Sequence, residues 1–352
     1  MSLTSCIRFR PFSHEAKTVC LLPNSTFACQ IFPSLIRFFD YDQKSPKLVG
    51  TVHFQDLGPL EKFTVIQDLE KGAIFVSGES SSGFVCYCIT AGCLEVLKLS
   101  REISLEVWFE GSSNTVRVQK KSRLALLIKM HAQEAKERLF LGVDRSQEWP
   151  MVVRRGDMRE ILPHLHYLSQ SVAGSSLDPL GKGPSLFSEL AQAVQEKKCD
   201  QVLTALKALF QAGFSHQLLP SLEDVNYHGY SLPVAQNQNT SPLLLLKECY
   251  PLIRSLFFAE SDNTWHFLPQ LLKEFHSGTL SSIKTKKGHT IHIEWTKQQC
   301  RRVLIVAACD DTVCCSFAKP IAAFRLGRYS FDNHSTLQLL GGQKYLLDNF
   351  RK

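Results

Sequence analysis

The residues best equipped for chemistry lie in one non-periodic stretch, His216 to Thr240, and they are Glu223, Asp224, Asn226, Tyr227, His228 and Tyr230. Carboxylates beside tyrosine, histidine and asparagine suit a sugar. Aromatic faces cover apolar ring surface, and paired carboxylates act as acid and base on a glycosidic bond. Inverting hydrolysis needs the two about 6.5–9.5 Å apart, with a water between. Adjacent Glu223 and Asp224 point apart, so either needs a partner from another segment, and Asp157–Glu160 offers one. Asn226, Tyr227, His228 and Tyr230 form the expected ligand-binding set. The competing reading is a surface loop that uses Asn, Gly and Tyr for turns and packing. Long irregular loops in compact domains tend to be functional or disordered.

The remaining candidates dissolve on spacing. His164 and His166 bracket one residue, as do Cys86 and Cys88. Positions two apart share a face only in a strand, and neither pair has a second half at a metal-binding spacing. His164 and His166 fall in a helical pattern, where residues two apart do not face together. Cys314 and Cys315 point to opposite faces of a strand. No metal and no cofactor is expected. No nucleophile elbow is present. Gly181-Lys182-Gly183-Pro184 reads as a linker, because Pro184 removes an amide that a phosphate cradle would use. Trp108, Trp149, Trp265 and Trp295 read as core or junction anchors.

Composition narrows the classes. A chain of 352 residues exceeds one ordinary core, so two or three domains are expected. The net charge of +7 is scattered rather than gathered into a stripe, so no nucleic-acid partner is expected. The apolar run Pro242–Ala259 contains Lys247, Glu248 and Arg254, charges too costly for a membrane span. It reads as a core helix. Met1–Lys17 lacks an uninterrupted apolar stretch, which argues against a secretory signal. The twelve cysteines are then expected to be reduced, in a cytoplasmic protein. The patterns Asn24-Ser25-Thr26 and Asn333-His334-Ser335 carry no meaning without export.

The elements that position these residues divide into five segments. Residues 1–130 carry short runs such as Leu48–Phe54, Ala73–Ser77, Phe84–Thr90 and Ser104–Phe109 between Gly-rich breaks, the pattern of an antiparallel β-sandwich. Residues 131–184 form a linker with a short helix, Asp157–Leu168, capped by Asp157. Residues 185–260 hold a helical hairpin, Ser185–Lys198 and Asp200–Ala212, and a core helix opened by Ser241-Pro242. Residues 261–331 form a C-terminal β module in which Ile291, Ile293 and Trp295 alternate with His292 and Glu294. Residues 332–352 read as a polar, loosely attached tail. The fold class is mixed α and β (α+β): an N-terminal antiparallel β-sandwich, a short helical region, and a small C-terminal β-sandwich or sheet module.

Within the last module, Trp265-His266-Phe267-Leu268-Pro269, Phe275-His276-Ser277-Gly278, Lys286-Lys287-Gly288 and Ile291-His292-Ile293-Glu294-Trp295 resemble the closing stretch of α-L-fucosidase-type inverting glycoside hydrolases. The resemblance implies a plan of N-terminal super-sandwich, linker helix, (α/α)6 barrel and C-terminal β module. The helix from Ser241 to Ala259 would stand for the last barrel helix. A twelve-helix barrel needs upward of roughly 200 residues, and only Ser185–Glu260 is free for it. The barrel carries that family's catalytic residues, so none maps onto this chain, and the expectation leans against an enzyme. The expected function is a non-catalytic or degenerate carbohydrate-related protein of glycosidase-like architecture, binding a glycan or a protein partner. The alternatives are an active glycoside hydrolase using carboxylates near residues 216–240, and a protein-interaction or effector protein. The sequence does not set the oligomeric state.

Overall fold

The computed structural model describes residues 8–41, 46–55, 57, 59–81, 83–109, 111–126, 137–170, 172, 186–213, 219, 243–318 and 321–352. Short runs of β-branched and aromatic residues divided by turns give the first twelve strands. They are β1 (Phe12–Ser13), β2 (Thr18–Leu21), β3 (Phe27–Ile31), β4 (Leu35–Asp40), β5 (Lys47–Phe54) and β6 (Glu61–Asp68). There follow β7 (Ala73–Ser80), β8 (Gly83–Ile89), β9 (Cys93–Leu99), β10 (Ile103–Phe109), β11 (Ser112–Val118) and β12 (Arg123–Ala125). They pair as two antiparallel six-stranded sheets, ordered β1-β6-β7-β8-β9-β12 and β11-β10-β5-β4-β3-β2. Val65, Val76, Tyr87 and Val96 of the first sheet share one buried cluster with Ile36, Phe38, Val52 and Leu105 of the second. Phe54 of β5 stacks on Tyr87 of β8 with centroids 4.8 Å apart, so side chains of the two sheets meet directly.

Residues expected to be a linker hold one strand and two helices: β13 (Arg138–Phe140), α1 (Trp149–Arg155) and α2 (Met158–Ser169). Pro150 opens α1, and Gly156 closes it in the left-handed region at φ 59°. Asp157 caps α2 by accepting from the Arg159 amide. Eleven of the twelve residues of α2 are buried, which makes it an internal pillar rather than a surface connector. Then come α3 (Leu186–Gln195), α4 (Cys199–Gly213) and α5 (Leu243–Phe257). No helix among the described residues is long and apolar enough to cross a membrane.

The helix α5 passes directly into β14 (Phe258–Ser261), followed by β15 (Thr264–Phe267), β16 (Gly278–Lys284), β17 (Thr290–Thr296), β18 (Gln299–Val306) and β19 (Asp311–Phe317). The last four strands are β20 (Ala323–Leu326), β21 (Tyr329–Asp332), β22 (Thr336–Leu339) and β23 (Lys344–Arg351). One sheet runs β13-β16-β17-β18-β23-β20-β21, the other β14-β15-β19-β22. All pairings are antiparallel except β15 with β19. Ile291, Ile293 and Trp295 of β17 face inward, as their alternation predicts. Trp295 donates to the Phe275 carbonyl at 2.8 Å and stacks on Phe257.

Two expectations need correction. Residues 332–352 are no loose tail, since β23 is an internal strand between β18 and β20. Its burial pattern shows one fully buried residue in eight, so the chain's period there is too faint to read as a strand. The C-terminal module is also not confined to residues after 260, because β13 supplies one of its strands.

Candidate functional site

Glu223, Asp224, Asn226, Tyr227, His228 and Tyr230 lie outside the described residues. The elements that bracket them are α4, ending at Gly213, and α5, beginning at Leu243. Of the other proposed acid–base segment, Asp157 is occupied as a helix cap and pairs with Arg159 at 2.7 Å. Glu160 is buried and held by Arg145 at 2.7 Å and by Arg155. Both carboxylates serve the α1–α2 corner.

What the structure does assemble is a buried polar node on Glu137, just ahead of β13. Its carboxylate receives the Arg254 Nε–H at 2.9 Å, and His166 Nε2 lies 3.6 Å from the other oxygen. Gln170 accepts from the Glu137 amide at 2.7 Å and donates to its carbonyl at 3.0 Å. The Tyr250 ring covers His166, centroids 5.4 Å apart, and Arg254 also donates to the Lys284 carbonyl. Glu137 therefore joins α2 and α5 just ahead of β13, and Arg254 carries the link on to β16. Burial raises the Glu137 carboxyl, but His166 and Arg254 outweigh it and hold the group below the ordinary carboxylate range. A general acid needs the opposite shift. The node is a clamp in which an ionised carboxylate is neutralised by its neighbours.

His166 and His164 go separate ways, as their spacing in a helix requires. His164 hydrogen-bonds the Glu160 carbonyl at 2.8 Å and packs on Phe9 and Trp149. Its Nδ1 is therefore the protonated nitrogen, since a carbonyl only accepts. Cys86 and Cys88 straddle a register shift in β8. Among the described residues no group of three metal-ligating side chains forms.

A second constellation gathers at one end of the C-terminal module. His289 is fully buried, its Nε2 3.1 Å from Asp311 Oδ2, while Lys287 Nζ lies 2.5 Å from Oδ1. Cys309, exposed, places Sγ 3.9 Å from the same Nε2. The Ala308 amide donates to His289 Nδ1 at 3.1 Å, which fixes the neutral ring with its proton on Nε2, directed at the carboxylate. That nitrogen has no lone pair to take a thiol proton, so the arrangement is not a cysteine–histidine couple. Burial raises the Asp311 carboxyl, and Lys287, the Thr312 amide and His289 outweigh it, leaving the group below its ordinary range.

Ser261 and His266 make the third contact, Oγ to Nε2 at 2.8 Å across the β14–β15 hairpin. Burial, then the charges of Lys197 and His334, keep the imidazole below its ordinary value. Among the described residues no carboxylate hydrogen-bonds this ring, so the orienting member of a triad is missing.

Sequence reasoning named His166 but missed Glu137, which follows a charged run and looks like surface. Arg254 carried a usable signal: a guanidinium inside an apolar helix requires a buried partner. Trp149, Trp265 and Trp295 are core residues, as expected, and Trp108 is half-buried. Neither glycosylation pattern offers an open amide. Asn24 is buried, and Asn333 donates to the Phe317 and Ile321 carbonyls. The eleven described cysteines are free thiols. No protein-family model matches the chain, and no curated protein matches it either.

Proposed function

We propose that this chain is a non-catalytic, carbohydrate-related protein of glycosidase-like plan, which binds a glycan or a protein partner through its β modules. In this reading the two N-terminal sheets close as a sandwich, and the C-terminal sheets close as a smaller one. The observation that carries it is the junction at Phe257–Phe258, where α5 runs without a break into β14. A last helix that opens a closing β module, behind a β-rich first half, is the order that plan requires.

Of the described carboxylates, Glu137, Asp157 and Asp311 are engaged by Arg254, Arg159 and Lys287 and lie below the ordinary carboxylate range, the opposite of what the general acid of inverting hydrolysis needs. The free thiols, with Cys309 exposed, fit a reducing, cytoplasmic compartment.

A glycan array followed by calorimetry on the full chain tests the proposal, and saturable binding of a sugar class is the expected result. Absence of any sugar binding at millimolar ligand overturns the carbohydrate part. Aglycone release from aryl glycosides, abolished in Glu223→Gln or Asp224→Asn, would replace the binding role by hydrolysis.

A further inference from the structure

The helical hairpin carries a feature that the sugar reading does not use. A Schellman motif ends α3: the Lys198 amide donates to the Ala193 carbonyl, the Lys197 amide to that of Val194, and Lys197 takes φ 56°. Lys198 then opens α4 by accepting from Val202. The tight turn sets the two helices side by side. Leu190, Val202, Leu206, Leu209 and Phe210 are buried in the core. Between α3 and α4 lies an open groove of about 510 Å³.

Its composition is uneven. Ala193, Ala205 and Ala208 line it with small apolar groups, and Glu189, Glu196 and Asp200 line it with carboxylates. Glu196 is engaged by Lys198 at 2.6 Å and by Gln192 at 2.8 Å. The groove therefore holds three carboxylates against one lysine on a chain whose net charge is +7. Alanine between two helices lets a third approach to about 8–10 Å. Charge of this sign steers cations and repels anions.

We propose that this groove docks a basic amphipathic helix of a protein partner, its small apolar residues against the alanines and its Lys or Arg residues over Glu189 and Asp200. The inference stands on the groove and is independent of the sugar reading. Helix-in-groove recognition supplies the mode.

The test is fluorescence anisotropy on the full chain with a labelled helical peptide of about five turns, built from Ala, Leu and Lys. Its counterpart carries Glu in place of Lys. The lysine peptide should bind, and the glutamate peptide should not. Ala205→Trp, which fills the groove, and the double reversal Glu189→Lys with Asp200→Lys should each weaken binding at least about tenfold. Glu102→Lys, beside β10, should leave it unchanged, and unaltered far-UV dichroism identifies variants that fold. Equal binding by the parent and both groove variants overturns the proposal, as does failure of the lysine peptide to bind. Binding of spermine but not the peptide reassigns the groove to a small polycation. Self-association lost in the same variants reassigns it to a second copy of this chain, and either result overturns the partner helix.

Discussion

Arg254 of α5 donates its Nε–H to Glu137 Oε1 at 2.9 Å, joining residues 117 positions apart in the chain. The acceptor side chain is almost fully buried, the guanidinium side chain 17% exposed. Breaking one side of such a pair strands a charge in the interior, whereas replacing both sides with apolar groups need not. Arg254→Met should therefore cost about 3 kcal/mol or more in urea unfolding. The double change with Glu137→Leu should cost less than Arg254→Met alone. A double change more costly than the single one would show that the pair does not act as a unit.

Acid should act through the same residue. Glu137 is held below the ordinary value of 4.5, as Asp311 is below 3.8. A carboxyl more acidic when folded adds stability above its unfolded value, and that stability is lost as pH falls through the folded one. The midpoint of thermal unfolding should stay level from neutral pH to about 5 and then decline. In Glu137→Gln the decline should be shallower, which a pH series of melting curves measures.

Gly278 sits where a side chain has no room. A Cβ there would lie 2.3 Å from the Phe140 carbonyl oxygen and 2.5 Å from Trp295 Cζ2. Gly278→Ala must push β13 or the indole aside, at a cost of about 1–3 kcal/mol. Loss of the near-ultraviolet dichroism of Trp295 should accompany it. Trp295→Ala should cost about 3–5 kcal/mol, because a fully buried indole is removed.

Thiol reactivity should separate the cysteines by burial. Cys309 is exposed, whereas burial raises the Cys249 thiol to about 12 and that of Cys88 to about 11. In the folded chain a disulfide reagent should modify Cys309 ahead of both. Cys309→Ser should remove one rapidly reacting equivalent, and unfolding should release the slow ones.

Much of the fold is legible where local signals agree. Asp157 before an apolar helical period marks α2, and Lys287-Gly288 before an alternating run marks β17, with Gly288 at φ 85°. The strands β2 and β3 are set apart by Pro23–Thr26 but are buried almost continuously rather than on alternate residues, so no period of two marks them. At β23 the alternation is diluted by Lys344, Asp348, Asn349 and Arg351, and only pairing with β18 and β20 makes it a strand. The Glu137 node is invisible for a different reason. Its members come from β13's approach, α2 and α5, and no spacing rule links positions that only packing brings together.

The pairing of Arg138 with Ser281 has a consequence for how this chain reaches its structure. The strand β13 borders the C-terminal sheet although 143 residues separate it from its neighbour. A contact so distant in sequence carries the entropy of closing a large loop and belongs to the slow class of folding events. The sheet cannot mature by local hairpin zippering alone, because one edge waits on the first half of the chain. A fragment beginning after β13 would expose β16 as an uncovered edge over Thr279–Ser281, with unpaired backbone groups there, the kind of template on which other chains aggregate.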